Sequence, residues 1–83
     1  MGSTLLHVLK VYPNPVSDML FIEGLEGRCM IELTSMTGQK LRLVRTSDPV
    51  CELQVGSLSA GMYILRITDN HLNVKVMQVV KSE

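Results

Sequence analysis

Apolar and polar residues alternate along most of this 83-residue chain, and glycine or proline interrupts the alternation at short intervals. A period of two belongs to half-buried strands, and the 3.6-residue period of an amphipathic helix is not found. The pattern predicts seven short strands. The first spans His7–Tyr12 and the second Met19–Glu23, which ends in the turn sequence EGLEG. The third, Arg28–Met36, puts Cys29, Ile31 and Leu33 on one face and Met30, Glu32 and Thr34 on the other. MTGQ then makes a tight hairpin, with Gly38 free to take positive φ. In the fourth strand, Lys40–Arg45, Leu41 and Leu43 oppose Lys40 and Arg42. After TSDP, the fifth strand Val50–Val55 sets Cys51, Leu53 and Val55 against Glu52 and Gln54. The sixth, Met62–Thr68, turns Tyr63, Leu65 and Ile67 to one side. The last, Asn73–Val80, is mixed: Val74 and Val76 share one face, and Lys75, Met77 and Val79 share the other.

Strands at about ten-residue spacing with turn signals between them predict an all-β fold, a seven-stranded antiparallel immunoglobulin-like β-sandwich. The expected core is Leu20, Ile22, Ile31, Leu33, Leu41, Leu53, Leu58, Tyr63, Leu65 and Ile67. The same phases turn Met19, Phe21, Met62 and Ile64 outward, where a contiguous apolar patch would mark a docking surface.

One stretch breaks the alternation. Two of the three prolines flank a single asparagine in Pro13-Asn14-Pro15. Proline lacks an N–H and fixes φ, and it biases the preceding residue toward extended geometry. The segment therefore reads as a stiff crossover between two strands rather than part of a ladder.

Composition narrows the class. Hydrophobic residues make up 46% of the chain, too many for a disordered segment. Aromatics are only 4%, so Leu, Val, Ile and Met must build the core. Eight basic and eight acidic residues cancel, and no basic stripe with stacking aromatics points to nucleic acid. No apolar run is long enough for a membrane-spanning helix, which needs about 20 residues. Residues 1–4 read as a cloning remnant or linker without a signal peptide, and residues 5–83 as one small domain of a longer protein.

Candidate chemistry is sparse. His7 and His71 are far apart, and no carboxylate cluster has ligand spacing, so no metal site is expected. Ser57 and Ser59 have no base at motif distance, and the dispersed glycines form no phosphate-binding loop. Neither catalysis nor a cofactor is expected. Cys29 and Cys51 share the inward phase, which fits either a disulfide or two buried thiols, with thiols favoured.

Four segments in order carry a resemblance: YPNPVSDMLFI, IELTSMTGQKL, LQVGSLSAGMYILRI and VKVMQVVK. Together, from about Val11 to Lys81, they resemble the C-terminal sorting domain of the type IX (Por) secretion system, type A, of exported Bacteroidetes proteins. Pro13, Asn14 and Pro15 are similar to the family's opening motif, and Gly38 to its hairpin glycine. Leu58, Gly61 and Tyr63 are similar to its L-x-x-G-x-Y motif. There the resemblance implies that Leu58 plugs the core, Gly61 bends the backbone and Tyr63 packs inward with its hydroxyl at the rim. Many members carry a lysine before the last apolar pair where this chain has Gln78, which leaves Lys75 or Lys81 to make that contact. Maintenance of the sandwich is the simpler role for Gly38, Leu58, Gly61 and Tyr63; the final strand and terminus are the expected recognition element.

The resemblance implies a secretion signal, not an enzyme. Its partners would be an upstream cargo domain of the same chain, the type IX secretion translocon, and a sortase-like peptidase that cuts before about Leu6. The cargo would pass through the periplasm to the outer-membrane surface or the medium. The rival reading is an immunoglobulin- or fibronectin-like adhesion module, or a carbohydrate-binding accessory domain with Tyr12 and Phe21 as its only candidate exposed aromatics.

Overall fold

The computed structural model describes residues 9–83. Its strands are β1 (Lys10–Tyr12), β2 (Met19–Glu23), β3 (Cys29–Ser35), β4 (Lys40–Thr46), β5 (Val50–Gln54), β6 (Gly61–Asp69) and β7 (Val74–Lys81). They form a three-stranded sheet in the order β1-β2-β5 and a four-stranded sheet in the order β4-β3-β6-β7. All ladders are antiparallel, as expected for the sandwich. The expected His7 start of the first strand, the boundary after residue 4 and the cleavage point near Leu6 lie outside the described residues.

Burial follows from the alternation. Leu20 and Ile22 of β2 face Ile31, Leu33, Leu65 and Ile67 of the larger sheet, all essentially inaccessible to solvent. Cys51, Leu53 and Val55 complete the smaller sheet's inner face, and Val79 completes that of the larger. Two further residues are buried that the alternation did not pick out, Val16 in the crossover and Leu25 in the β2–β3 turn. Both are single apolar residues in polar surroundings, with no periodicity to mark them. Leu25 is held by its N–H, which donates to the Pro49 carbonyl at 3.1 Å.

Strand β4 departs from the expected phase. Leu33 pairs with Arg42, but the neighbouring Thr34 pairs with Lys40, so Leu41 is an extra residue in a β-bulge. A bulge shifts the side-chain phase of everything beyond it. Leu41 is accordingly only half-buried against the core, Val44 takes an inward position, and Leu43 is 48% exposed. Arg42 reaches from this edge to the other sheet. Its Nε donates to the Gln54 carbonyl at 3.0 Å and its Nη2 to Ser57 Oγ at 3.1 Å, while Nη1 donates to its own strand at Leu41. One guanidinium thus bridges β4 to β5 and the loop after it.

The hairpin before the bulge closes as its glycine predicts. Gly38 has φ +96° and its N–H donates to the Ser35 carbonyl at 3.0 Å. Glu32, on the outer face, is buried by its neighbours and paired with Lys40 Nζ at 3.0 Å.

Cys29 and Cys51 lie on inner faces of opposite sheets as free, buried thiols. Burial pushes both thiols up from the ordinary cysteine range. Two measurements test this core. Leu65→Ala should cost about 2–5 kcal/mol in urea unfolding, as cavity-forming changes do, whereas Leu43→Ser should stay within about 0.5 kcal/mol. Equal costs would place Leu43 inward and remove the bulge. Alkylation without reductant should leave the folded chain largely unlabelled and add two labels in denaturant, read by intact mass; no label in denaturant would mean a disulfide.

Candidate functional site

Strand β7 stands at the edge of the four-stranded sheet, so one side of its backbone has no strand partner. Backbone groups alternate sides along a strand: in β7 those of Val74, Val76, Gln78 and Val80 point away from β6. An exposed row of this kind invites pairing with other chains.

Half of that row is covered by the proline-flanked asparagine. Asn14 Nδ2 donates to the Gln78 carbonyl at 3.1 Å, and the Val80 N–H donates to Asn14 Oδ1 at 2.9 Å. A carboxamide carries one donor side and one acceptor side, like a peptide group, so here it substitutes for a strand residue. Val16 continues the contact. Its N–H donates to the Val80 carbonyl at 2.8 Å, and its carbonyl accepts from the Ser82 N–H at 2.8 Å, in a parallel bridge to Lys81. Pro13 and Pro15 contribute no N–H that would be left unpaired at this edge. The Tyr12–Pro13 and Asn14–Pro15 peptide bonds are both cis.

The other motif residues gather at the same end. Gly61, with φ +153°, opens β6 opposite Lys81, and Tyr63 pairs with Val79. The Tyr63 ring is buried and its hydroxyl donates to the Ser59 carbonyl at 2.5 Å, tying the β5–β6 loop to the sheet. Leu58 is half-buried against the core, a partial plug rather than the full one expected. Gly38 lies beyond the Ser35–Tyr63 pair, in the hairpin at this end. Lys75 does not join the group: it pairs with Ile67 toward the far end and is exposed.

Lys81 corrects a sequence expectation. It was one of the two lysines left to make the contact of the family's lysine, yet it is 6% exposed, with Nζ donating to the Ser82 carbonyl at 2.6 Å. The alternation that turns Val79 inward turns Lys81 inward as well. Gln78, by contrast, is exposed, and its backbone serves the Asn14 contact.

The remainder of β7 is open. Val74 and Val76 are 45% and 55% exposed, and among the described residues no segment pairs with their outward backbone groups. Met62 and Val80 are also exposed, as a cross-strand pair separated from Val76 by Gln78. On the opposite outer face the Tyr12 and Phe21 rings stack at 5.5 Å, and the Tyr12 hydroxyl donates to the Glu23 carboxylate. Among the described residues no group of His, Cys, Asp or Glu is placed to hold a metal ion, and no helix is long and apolar enough to cross a membrane.

The family model for the secretion system C-terminal sorting domain matches residues 10–82. The chain belongs to this family. The sorting domain is a C-terminal signal for type IX secretion, recognised by that system for export. Its fold is shared with a solved structure of PorZ, an essential bacterial surface component of the type-IX secretion system of Porphyromonas gingivalis. The two superpose with a TM-score of 0.85 at 22% identity, over 98% of this chain and 12% of that one. Comparison with curated proteins finds no match.

Asn14→Ala removes both side-chain contacts to β7 and should cost about 1–2 kcal/mol, at about 1 kcal/mol per net hydrogen bond. Hydrogen exchange of the Val80 amide, which donates to Asn14, should accelerate more than that of Val79, which faces β6. Unchanged exchange at Val80 would mean that the asparagine does not hold the strand.

Proposed function

We propose that the sorting domain is read through the open part of β7, from Val74 to Met77, and that the asparagine contact keeps the rest of the strand fixed. The observation that carries this reading is the division of one edge into a closed and an open half. A sheet edge can bind an extended partner by adding a strand, with backbone groups giving affinity and flanking side chains giving specificity. The exposed valines and Lys75 flank the open half on its two faces. Pro13, Asn14, Pro15, Gly38, Leu58, Gly61 and Tyr63 then act indirectly by holding β7 in place, and Lys81 acts as an internal anchor.

On this reading the partner is the type IX translocon, and the domain carries no catalytic residue of its own. A cargo upstream of residue 9 would travel through the periplasm to the outer-membrane surface or the medium. A sortase-like peptidase would cut before the first strand. Family membership supports the route, and the exposed Lys10 start of β1 is compatible with a linker leaving the sandwich there.

The test separates recognition from folding. Val76→Lys places a charge on an exposed edge position and should change stability by less than about 0.5 kcal/mol. A reporter fused upstream should be exported by a type IX-competent strain when it carries the unaltered domain. With Val76→Lys it should accumulate in the periplasm, although urea unfolding of the purified domain is unchanged. Equal export of both fusions would remove the β7 edge from recognition.

A further inference from the structure

A cleft of about 540 Å³ opens at the end of the four-stranded sheet away from the asparagine contact. It is formed where β3 begins, β4 ends and β6 turns toward β7. Arg28 and Arg45 both line it, and Arg45 pairs across the ladder with Met30, two residues beyond Arg28. Among the described residues neither arginine lies within ion-pair distance of a carboxylate, and residues 1–8 contain no Asp or Glu. Two like charges in one cleft repel each other unless an anion lies between them.

Apart from Asp69, the remaining polar groups in the cleft are uncharged: the hydroxyls of Thr46, Ser47 and Thr68 and the carboxamide of Asn70. Thr46 Oγ1 accepts the Asp48 N–H at 3.1 Å, which leaves its own hydrogen free to donate. Ser47 and Thr68 add hydroxyls. The one carboxylate in the lining, Asp69, is buried and already occupied. Its Oδ1 accepts the His71 and Asn73 N–H groups at 2.9 and 2.8 Å, and its Oδ2 accepts Asn73 Nδ2 at 3.0 Å. Asp69 therefore builds the β6–β7 turn and does not neutralise the arginines at contact distance. Met30 and Leu72 supply apolar wall. The volume is that of a small-molecule site, which usually lies in the range of about 300–1,000 Å³, and exceeds what a bare inorganic oxyanion fills.

We propose that this cleft binds an oxyanion, phosphate or carboxylate, carried on a small organic body, with Arg28 and Arg45 as the forks that hold it. A guanidinium presents paired N–H donors matched to two oxygens of such a group. The apolar wall would pack against the body of the ligand. The cleft adjoins the start of β7 but none of its lining residues belongs to that strand, so changing Arg28 and Arg45 leaves the residues of the sorting reading in place.

Titration of the ¹⁵N-labelled chain with glucose 6-phosphate, glucuronate, inorganic phosphate and glucose tests the site. Sodium chloride at matched ionic strength serves as control. Saturable shifts confined to amides around Thr46, Thr68 and Asn70 should appear with the two organic anions and not with glucose or chloride. Preference between the first two assigns phosphate or carboxylate, and weaker binding of inorganic phosphate supports the role of the apolar wall. Arg28→Gln with Arg45→Gln should weaken binding roughly tenfold or more, as loss of charge-assisted pairs does. Both side chains are exposed, so the variant's thermal unfolding should be unchanged. No saturable shift in the unaltered chain, shifts equal to those with chloride, or equal affinity in a folded double variant would each overturn the proposal.

Discussion

A sheet ends where its backbone donors and acceptors run out of strand partners, and that constraint organises this small sandwich. Each of the two sheets has two edges, so four strands expose a side. Strand β1 escapes by being only three residues long. The edges of β4 and β5 lie across one open side of the sandwich and are linked by Arg42, a side chain whose donors satisfy carbonyls in both sheets. On the other side, β7 is joined to the crossover by Asn14 and Val16. The layers are therefore held together by polar contacts at their margins as well as by the aliphatic core between them.

That division separates the motif residues by task. Those carrying the family resemblance gather mostly around the closed end of β7, where they position backbone rather than present reactive groups. Tyr63 spends its hydroxyl on a loop carbonyl and Lys81 its ammonium on the adjacent carbonyl. The residues left free for encounter carry little motif character: exposed valines, a lysine and two arginines.

Much of the fold was legible because alternation is itself a record of burial. Leu20, Ile22, Ile31, Leu33, Leu53, Tyr63, Leu65 and Ile67 all lie inside as their phase indicates. The failures have specific causes. The bulge at Leu41 is a backbone event within the β3–β4 ladder, and its one mark in KLRLVRT is the adjacent apolar pair Leu43-Val44, which does not say where the extra residue sits. Val16 and Leu25 are solitary, and periodicity needs at least a pair. Lys81 lies one residue past the expected end of the last strand, so the alternation was not carried onto it, whereas β7 runs through it. The candidate site was legible only in part. The stiffness of the proline-flanked segment could be read locally, but the partners of Asn14 lie 64 and 66 residues away, and nothing nearby in sequence names them.

Those separations also govern when the domain can be complete. A chain leaves the ribosome from its N-terminal side, so Asn14 emerges long before Val80 does. Until then the carboxamide has only water to bond, and β6 lacks its outer neighbour. Contacts of such long range close late in folding because a large loop must be ordered first. Recognition that depends on the finished β7 edge would therefore ignore nascent and truncated chains without any separate proofreading device.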